Sequence, residues 1–252
     1  VSSYTHAVVS KKKTVLIDER INPTGKSKLK EAIKNEDMDY ILGEGLKQAD
    51  FVDVLDVNMG VPGIDEPYMM EKTVKALQAV TDLPLQIDSS NPDALESAMR
   101  IYAGKPMVNS VNGKQESLDS VLPLVKKYGG VLIALTLDEN GIPDTADGRV
   151  AIAKRTITEA AKYGIGVKDI VVDPLALTVS SDKDSALVTL KAIEALHGMG
   201  IRTSLGVSNI SFGLPQRELI NQTFFTLAME KGLDFAIMNP FSRGMMNSYH
   251  TF

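Results

Sequence analysis

The chain has 252 residues, with 27 Lys and Arg against 32 Asp and Glu for a formal charge of −5, three His, and neither Cys nor Trp. Without Cys there can be no disulfide framework, thiolate metal site, Cys-ligated cluster or Cys nucleophile, and the wide spacing of His6, His197 and His250 argues against a His-rich metal centre. The mildly acidic balance argues against nucleic acid, which needs clustered Lys and Arg; no apolar run approaches the roughly 18 residues that span a membrane, and Val1 to Ser10 carries no signal pattern, so a cytoplasmic protein is expected.

Taken in chain order, the Lys11-Lys12-Lys13 run reads as a solvated edge before the first strand, Thr14–Ile17. A helix is predicted over Asp37–Ala49, then a strand over Val52–Val57. The next helix, Glu66–Val80, has Met70, Val74, Leu77 and Val80 at spacings of three and four, which predicts one buried stripe. Strand Leu85–Asp88 precedes helix Pro92–Tyr102, opened by Asn91 as cap and a first-turn proline. Strand Met107–Val111 leads to helix Ser117–Tyr128, with Ser117 as its start signal and Asp119 in the first turn. Then follow strand Val131–Thr136, helix Arg149–Tyr163, strand Ile170–Asp173, helix Ser185–Met199 with His197 near its end, strand Arg202–Gly206, helix Arg217–Lys231 and strand Phe235–Met238. Gly129, Gly164, Gly200 and Gly232 each follow a helix, where a left-handed stop residue is expected. Gly244–Phe252 leaves about two turns for a curtailed last helix, and the absent initiator Met points to a processed or trimmed start.

The strands are near-continuous apolar runs, as expected of parallel strands covered on both faces. Eight β-then-α units joined by right-handed crossovers leave an open doubly wound sheet or a closed barrel. Eight units within about 250 residues favour a single-domain α/β fold over residues 1–252, the TIM (β/α)8 barrel. A dinucleotide-binding reading is weak, since no GxGxxG follows an early strand and Gly60-Val61-Pro62-Gly63 is broken by proline.

Barrel enzymes place their chemistry at the carboxyl ends of the strands, and here those ends carry polar groups. They are Asp18 to Gly25, Asp56-Val57-Asn58, Asp88-Ser89-Ser90-Asn91, Asn109-Ser110, Asp173-Pro174, Ser208-Asn209 and Asn239-Pro240. Any one of these is an ordinary turn or helix cap. Converging on one rim, Asp88, Asn109, Asp173 and Asn209 would face one space and form a ligand site. Carboxylates and amides with almost no cation suit a neutral, flat heterocycle with amide and amino edges, not a phosphate. Carboxylates can hold Mg²⁺, but such sites usually partner substrate phosphates. A glycosidase would want aromatic platforms beside its carboxylates, and this chain is 6% aromatic without Trp.

Several segments, in order and over nearly the whole chain, are similar to the pterin-binding methyltransferases. They are Glu19-Arg20-Ile21-Asn22-Pro23-Thr24-Gly25, Leu55-Asp56-Val57-Asn58, Asp88-Ser89-Ser90, Val108-Asn109-Ser110, Val172-Asp173-Pro174-Leu175, Gly206-Val207-Ser208-Asn209-Ile210-Ser211 and Leu219-Ile220-Asn221. The chain most resembles the methyltetrahydrofolate:corrinoid-protein methyltransferases, which include the methyltransferase component of anaerobic O-demethylases. The resemblance implies the same barrel, with the pterin bound by Asp88, Asn109 and Asp173, and with Asn209 near the pterin N5 as the catalytic amide. Glu19, Asn22, Asp56, Asn58, Ser208 and Asn239 are expected to line the mouth or orient those residues. One departure stands out: relatives often have glycine before Glu19 where this chain has Asp18, which leaves the course of the first loop open.

The implied reaction moves a methyl group between N5 of tetrahydrofolate and the cobalt of a corrinoid (cobalamin) carried by a partner protein docking at the mouth. This chain lacks an Asp-x-His-x-x-Gly corrinoid signature, and no metal site is assigned to it. The resemblance also implies a homodimer. Two alternatives stay open. A dihydropteroate synthase would need a Lys after strand seven and an Arg-x-His after strand eight, where this chain has Ser208-Asn209 and Asn239-Pro240-Phe241. The other is a folate-binding domain of a larger corrinoid enzyme such as methionine synthase.

Overall fold

The computed structural model describes residues 1–9 and 13–252, so most of the lysine run lies outside the described residues; Lys13 is exposed. The elements run β1 (Val15–Ile17), α1 (Ser27–Lys34), α2 (Met38–Leu46), β2 (Leu55–Val57), α3 (Glu66–Val80), β3 (Leu85–Asp88), α4 (Pro92–Ile101), β4 (Met107–Asn112), α5 (Gln115–Tyr128) and β5 (Val131–Leu135). They continue α6 (Ala146–Lys162), β6 (Ile170–Asp173), α7 (Ser185–Gly198), β7 (Arg202–Gly206), α8 (Arg217–Glu230), β8 (Phe235–Ile237) and α9 (Arg243–Thr251). All strands pair in parallel, in the order β1-β8-β7-β6-β5-β4-β3-β2. The bridges Ile17 to Val54 and Ile21 to Val57 join β1 to β2 and bring the ring to closure. This is the expected (β/α)8 barrel.

Side chains alternate across each strand, and the two faces fall into separate apolar clusters. Val15, Ile17, Val54, Met107, Val131, Ile133, Val171 and Phe235 pack together inside the ring. Leu16, Leu55, Val57, Val108, Leu132, Ala134, Ile170 and Val172 pack outward with the helices. The inner residues lie toward the strand starts. Residues 1–9 pack Val8 and Val1 onto them, held by the Val1 amine to the Val8 carbonyl at 3.1 Å and by Ser2 pairing with Lys105. The amino-terminal end of the barrel is thus filled with apolar side chains, and polar chemistry is confined to the opposite end.

Three local expectations need correction. Helix α1 was not anticipated: Leu29, Ala32 and Ile33 form its buried face, but lysines surround them and Lys26 at its start gives no side-chain cap, so its sequence reads as polar loop. The α3 stripe uses Met69, Met70, Thr73, Val74 and Leu77, while Val80, the last residue of the helix, stays 49% exposed. Helix α5 begins two residues before Ser117; the Ser117 hydroxyl instead accepts from the Asn112 amide at 3.1 Å. The four glycines after α5, α6, α7 and α8 all have positive φ, from 72° to 94°, as a left-handed stop requires.

Candidate active site at the barrel mouth

The alternation that buries Val54, Met107 and Val171 inside the ring carries inward, two residues further along each strand, Asp56, Asn109 and Asp173. Register completes the set: Asp56 is level with Gln86, and Asp88 with Asn109. On β2, β4 and β6 the inner row therefore changes from apolar to carboxylate or amide on approaching the carboxyl end, while on β3 it is polar at both Gln86 and Asp88.

Asp88 is the centre of one cluster. Its Oδ2 accepts from Asn58 Nδ2 at 3.0 Å and from Asn22 Nδ2 at 3.3 Å. Both asparagines first fix their own loops. Asn22 Oδ1 accepts from the Thr24 amide at 3.0 Å and Asn58 Oδ1 from the Gly60 amide at 2.8 Å. With the oxygen so engaged, each amide turns its NH₂ on Asp88. Burial pushes the Asp88 carboxyl up to about 6; the Asn58 donor opposes this and the Glu66 carboxylate adds to it. Asn109, half-buried beside it, uses neither end of its amide in a hydrogen bond among the described residues.

Asp173 ends β6, buried. Its Oδ1 accepts from the Leu175 amide at 2.7 Å, closing a turn in which Leu175 has φ +64°. Burial pushes Asp173 up to about 7, opposed by that amide and by the Arg149 charge. Arg149, 1% exposed, holds the loop from beneath: Nη1 donates to the carbonyls of Pro174 and Leu175, both at 2.7 Å, and to Thr189 Oγ1 at 3.0 Å, and Nε donates to the Pro143 carbonyl at 3.0 Å. This buried cation is satisfied by carbonyls and a hydroxyl, which leaves the Asp173 carboxyl free to face the mouth.

The β7 end is built differently. Val207–Ser211 forms a single 3-10 turn, pinned by Arg217, which donates to Ser211 Oγ and to the Ser208 carbonyl, both at 3.0 Å. Asn209 projects from this turn exposed, its amide so close to Gly206 that a Cβ there would lie 3.0 Å from Nδ2. Ser208 Oγ donates to Glu19 Oε2 at 3.2 Å, tying the first loop to the seventh. Lys26 donates to the carbonyls of Glu19 and Arg20 and shapes the first loop from within. Asn239 spends its oxygen on the Phe241 amide at 3.0 Å, an ordinary turn. It lines, with Glu19, Ser208, Arg217 and Asn221, a neighbouring cavity of about 350 Å³.

The structure thus joins Asn22, Asn58 and Asp88 by hydrogen bonds, sets Asn109 beside them by register and links Glu19 to Ser208. It seats Asp56 deeper, against Gln86, whose Nε2 donates to Asp56 Oδ1 at 2.7 Å. Gln86, Arg149 and Lys26 were missed from sequence. Gln86 had a detectable signal, being the polar residue at an inward position of an otherwise apolar strand. Among the described residues, no group of three or more His, Asp or Glu is placed to hold a metal ion, and no helix is long and apolar enough to cross a membrane.

Residues 18–239 match the family profile described as pterin binding enzyme. The chain belongs to the pterin binding enzyme family. Among relatives of this pterin-binding barrel is the methylcorrinoid:tetrahydrofolate methyltransferase of Eubacterium limosum, 34% identical over 225 residues, covering 87% of this chain and 83% of that protein. Methionine synthase of Mycobacterium tuberculosis is 31% identical over 254 residues; the match covers 94% of this chain but 21% of that protein. Similar solved structures include dihydropteroate synthases from Xanthomonas albilineans in complex with 7,8-dihydropteroate, at 17% identity, TM-score 0.72 and coverage of 97% and 93% of the two chains, and from Vibrio fischeri, at 16% identity, TM-score 0.75 and coverage of 99% and 95%. At such identities the likeness is one of fold.

Proposed function

We propose that this barrel transfers a methyl group between N5 of tetrahydrofolate and the cobalt of a corrinoid carried by a partner protein. The observation that carries the reading is the pairing of two inward carboxylates, Asp88 and Asp173, with amides that keep hydrogen-bonding capacity to spare, Asn109 and Asn209. A reduced pterin presents N–H donors along its amidine edge, which a carboxylate accepts in a bidentate, charge-assisted way. Asp88, Asn109 and Asp173 bind and orient the ring, and Asn209 meets N5. The similarity to the methylcorrinoid:tetrahydrofolate methyltransferase supports the same substrate pair.

In one direction the N5 lone pair attacks the methyl carbon of methyl-Co(III). The Co–C bond breaks with its electron pair left on cobalt as Co(I), and N5 releases its proton to solvent. In reverse, Co(I) attacks the methyl group of methyltetrahydrofolate, and N5, a poor leaving group, takes up a proton as its bond breaks. An amide suits both directions because it can accept from protonated N5 or donate to the neutral amine.

The test is to mix the isolated protein with methylated free cobalamin and tetrahydrofolate. Appearance of the Co(I) spectrum together with methyltetrahydrofolate supports the transferase; folate binding without spectral change supports a binding module instead. The dihydropteroate synthase reading would require pteroate formation from a pterin pyrophosphate and 4-aminobenzoate. The cations expected for that chemistry are replaced by Ser208, which bonds Glu19, and Asn239, which closes a turn.

The same reading has a corrinoid protein docking over the mouth, an O-demethylase-type methyl supply, a cytoplasmic setting and a homodimer. An apolar groove between α7 and α8, where Leu187 and Leu219 are 56% and 60% exposed, is a surface such a dimer could bury. Light scattering that finds twice the chain mass supports the dimer, and the monomer mass refutes it.

A further inference from the structure

Below Asp88, on the inner side of the first three strands, lies a polar knot that the proposed reaction does not use. Asp18, Asp56 and Gln86 expose 0%, 1% and 0% of their surface. The Asp56 amide donates to Asp18 Oδ1 at 2.8 Å and Gln86 Nε2 donates to Asp56 Oδ1 at 2.7 Å. Acceptors here outnumber donors: Asp18 Oδ2 and Gln86 Oε1 are buried without any hydrogen-bond partner. Leaving such atoms unpaired is costly, and most of all for a charged carboxylate. A proton kept on a carboxyl supplies the missing donor.

Asp88, next in line, differs in kind. Two amide NH₂ groups are aimed at its Oδ2, which favours its charged form. Two neighbouring buried carboxyls repel and do not both ionise at neutral pH, so the placement of donors decides which keeps the charge. We infer that Asp56 is a positioning residue held as the neutral acid, which leaves Asp88 as the charged member of the pair at the pterin edge.

The charged groups around Asp56 agree. Asp18 faces it from the end of β1 and Asp88 from β3, and both oppose its ionisation. Lys26, a cation that interacts electrostatically with Asp18 and Asp56, is engaged with the carbonyls of Glu19 and Arg20. Glu66 of α3 acts on Asp88. Burial first, then Asp88, pushes Asp56 well above the ordinary carboxylate range against the opposing Gln86 and Asn22 donors, whereas Asp88 itself rises to about 6. The last clause of the inference, the pterin edge, rests on the proposed function; the protonation state does not.

Two experiments on the full chain test it. In ¹³C-labelled wild-type protein without ligand, the Asp56 Cγ signal, assigned through its own Cβ, should sit at a protonated-carboxyl shift at pH 7. A carboxylate shift there overturns the inference. Tetrahydrofolate affinity is then followed against pH. Asp56→Asn, which copies the neutral acid, should stay within about threefold of wild type and keep the acid limb at the same pH, whereas Asp56→Ala should lose about tenfold or more. An acid limb moved to lower pH in Asp56→Asn means that wild-type Asp56 was charged, and wild-type affinity in Asp56→Ala removes the positioning role. Should wild type itself not bind tetrahydrofolate, the functional reading fails while the NMR result still decides the proton.

Discussion

Asn209 stands exposed on a short 3-10 turn, with no hydrogen bond to its side chain among the described residues, while Asp88 sits half-buried with two amides already turned on it. These two presentations imply different consequences of substitution. On the proposed reading Asn209 meets the reacting nitrogen, where charge changes, so Asn209→Ala should slow methyl transfer in both directions by roughly 100-fold or more while tetrahydrofolate still binds near wild-type strength. Stopped-flow rates with the corrinoid partner check this, and near-wild-type turnover with tight folate binding would sink the role. A carboxylate that serves only as acceptor contributes to ground state and transition state alike. Asp88→Asn should therefore weaken tetrahydrofolate binding by about 1–3 kcal/mol, with maximal rate much less affected, as measured by calorimetry alongside turnover. The Asp18 position shows what a single side chain adds. Its Oδ1 accepts from the Asp56 amide and its Oδ2 lies buried without a hydrogen-bond partner.

At the scale of elements, most of the barrel was readable because its logic is local. Period-two alternation sorts each strand into an inner and an outer row, and the inner row is polar at Asp56, Asp88, Asn109 and Asp173, all at or near the carboxyl ends of their strands. Polar groups at the ends of apolar runs are what made Asp88, Asn109 and Asp173 legible in the sequence. What stayed hidden depended on partners far along the chain. Arg149 reads as one charged residue at the start of an amphipathic helix, yet it reaches the loop after β6, holding the Pro174 and Leu175 carbonyls and the Thr189 hydroxyl. Helix α1 was obscured by its lysines, since its burial comes from packing and not from any capping signal. Ser117 looked like a cap and became a hydroxyl acceptor for β4, because the chain turns helical two residues sooner. The Arg149 role makes a prediction at this scale. Arg149→Met keeps the aliphatic stem but strands the loop carbonyls, so it should destabilise the fold by about 2–5 kcal/mol in urea titrations. It should also weaken folate binding through a displaced Asp173. Folate affinity equal to wild type in a folded Arg149→Met protein would mean that the loop holds its shape without the guanidinium.

The whole molecule meets the cost of its mouth as a dependence of stability on pH. Asp18 and Asp173 are raised to about 7, Asp88 to about 6, and Asp56 well above its ordinary value, each by burial first. In the unfolded chain these carboxyls lose their protons near pH 4. Between about pH 4 and pH 7 the folded state therefore holds more protons than the unfolded one, and stability must fall as pH rises through that interval. Each pH unit across which one proton is held only by the folded state costs about 1.4 kcal/mol. The carboxylates lowered by their hydrogen-bonding partners, Glu36, Glu44, Glu96 and Glu139, act with the opposite sign. Their contribution is present above the ordinary carboxylate range and lost only as pH falls below it, so among the carboxyls the interval from about pH 5 to pH 7 belongs to the mouth and the knot beneath it, opposed by the Val1 amine, which burial lowers. The ligand-free protein should then melt at progressively lower temperature from pH 5 to pH 7.5. Asp173→Asn keeps the Leu175 hydrogen bond through its amide oxygen but has no charge to bury. It should flatten this decline, melt above wild type at pH 7.5, and gain less from added tetrahydrofolate, because a ligand stabilises only in proportion to its affinity for the folded state. Scanning calorimetry with and without the folate reads all three effects. A variant that melts no higher than wild type at pH 7.5 would show that Asp173 is not the charge the empty barrel strains to hold.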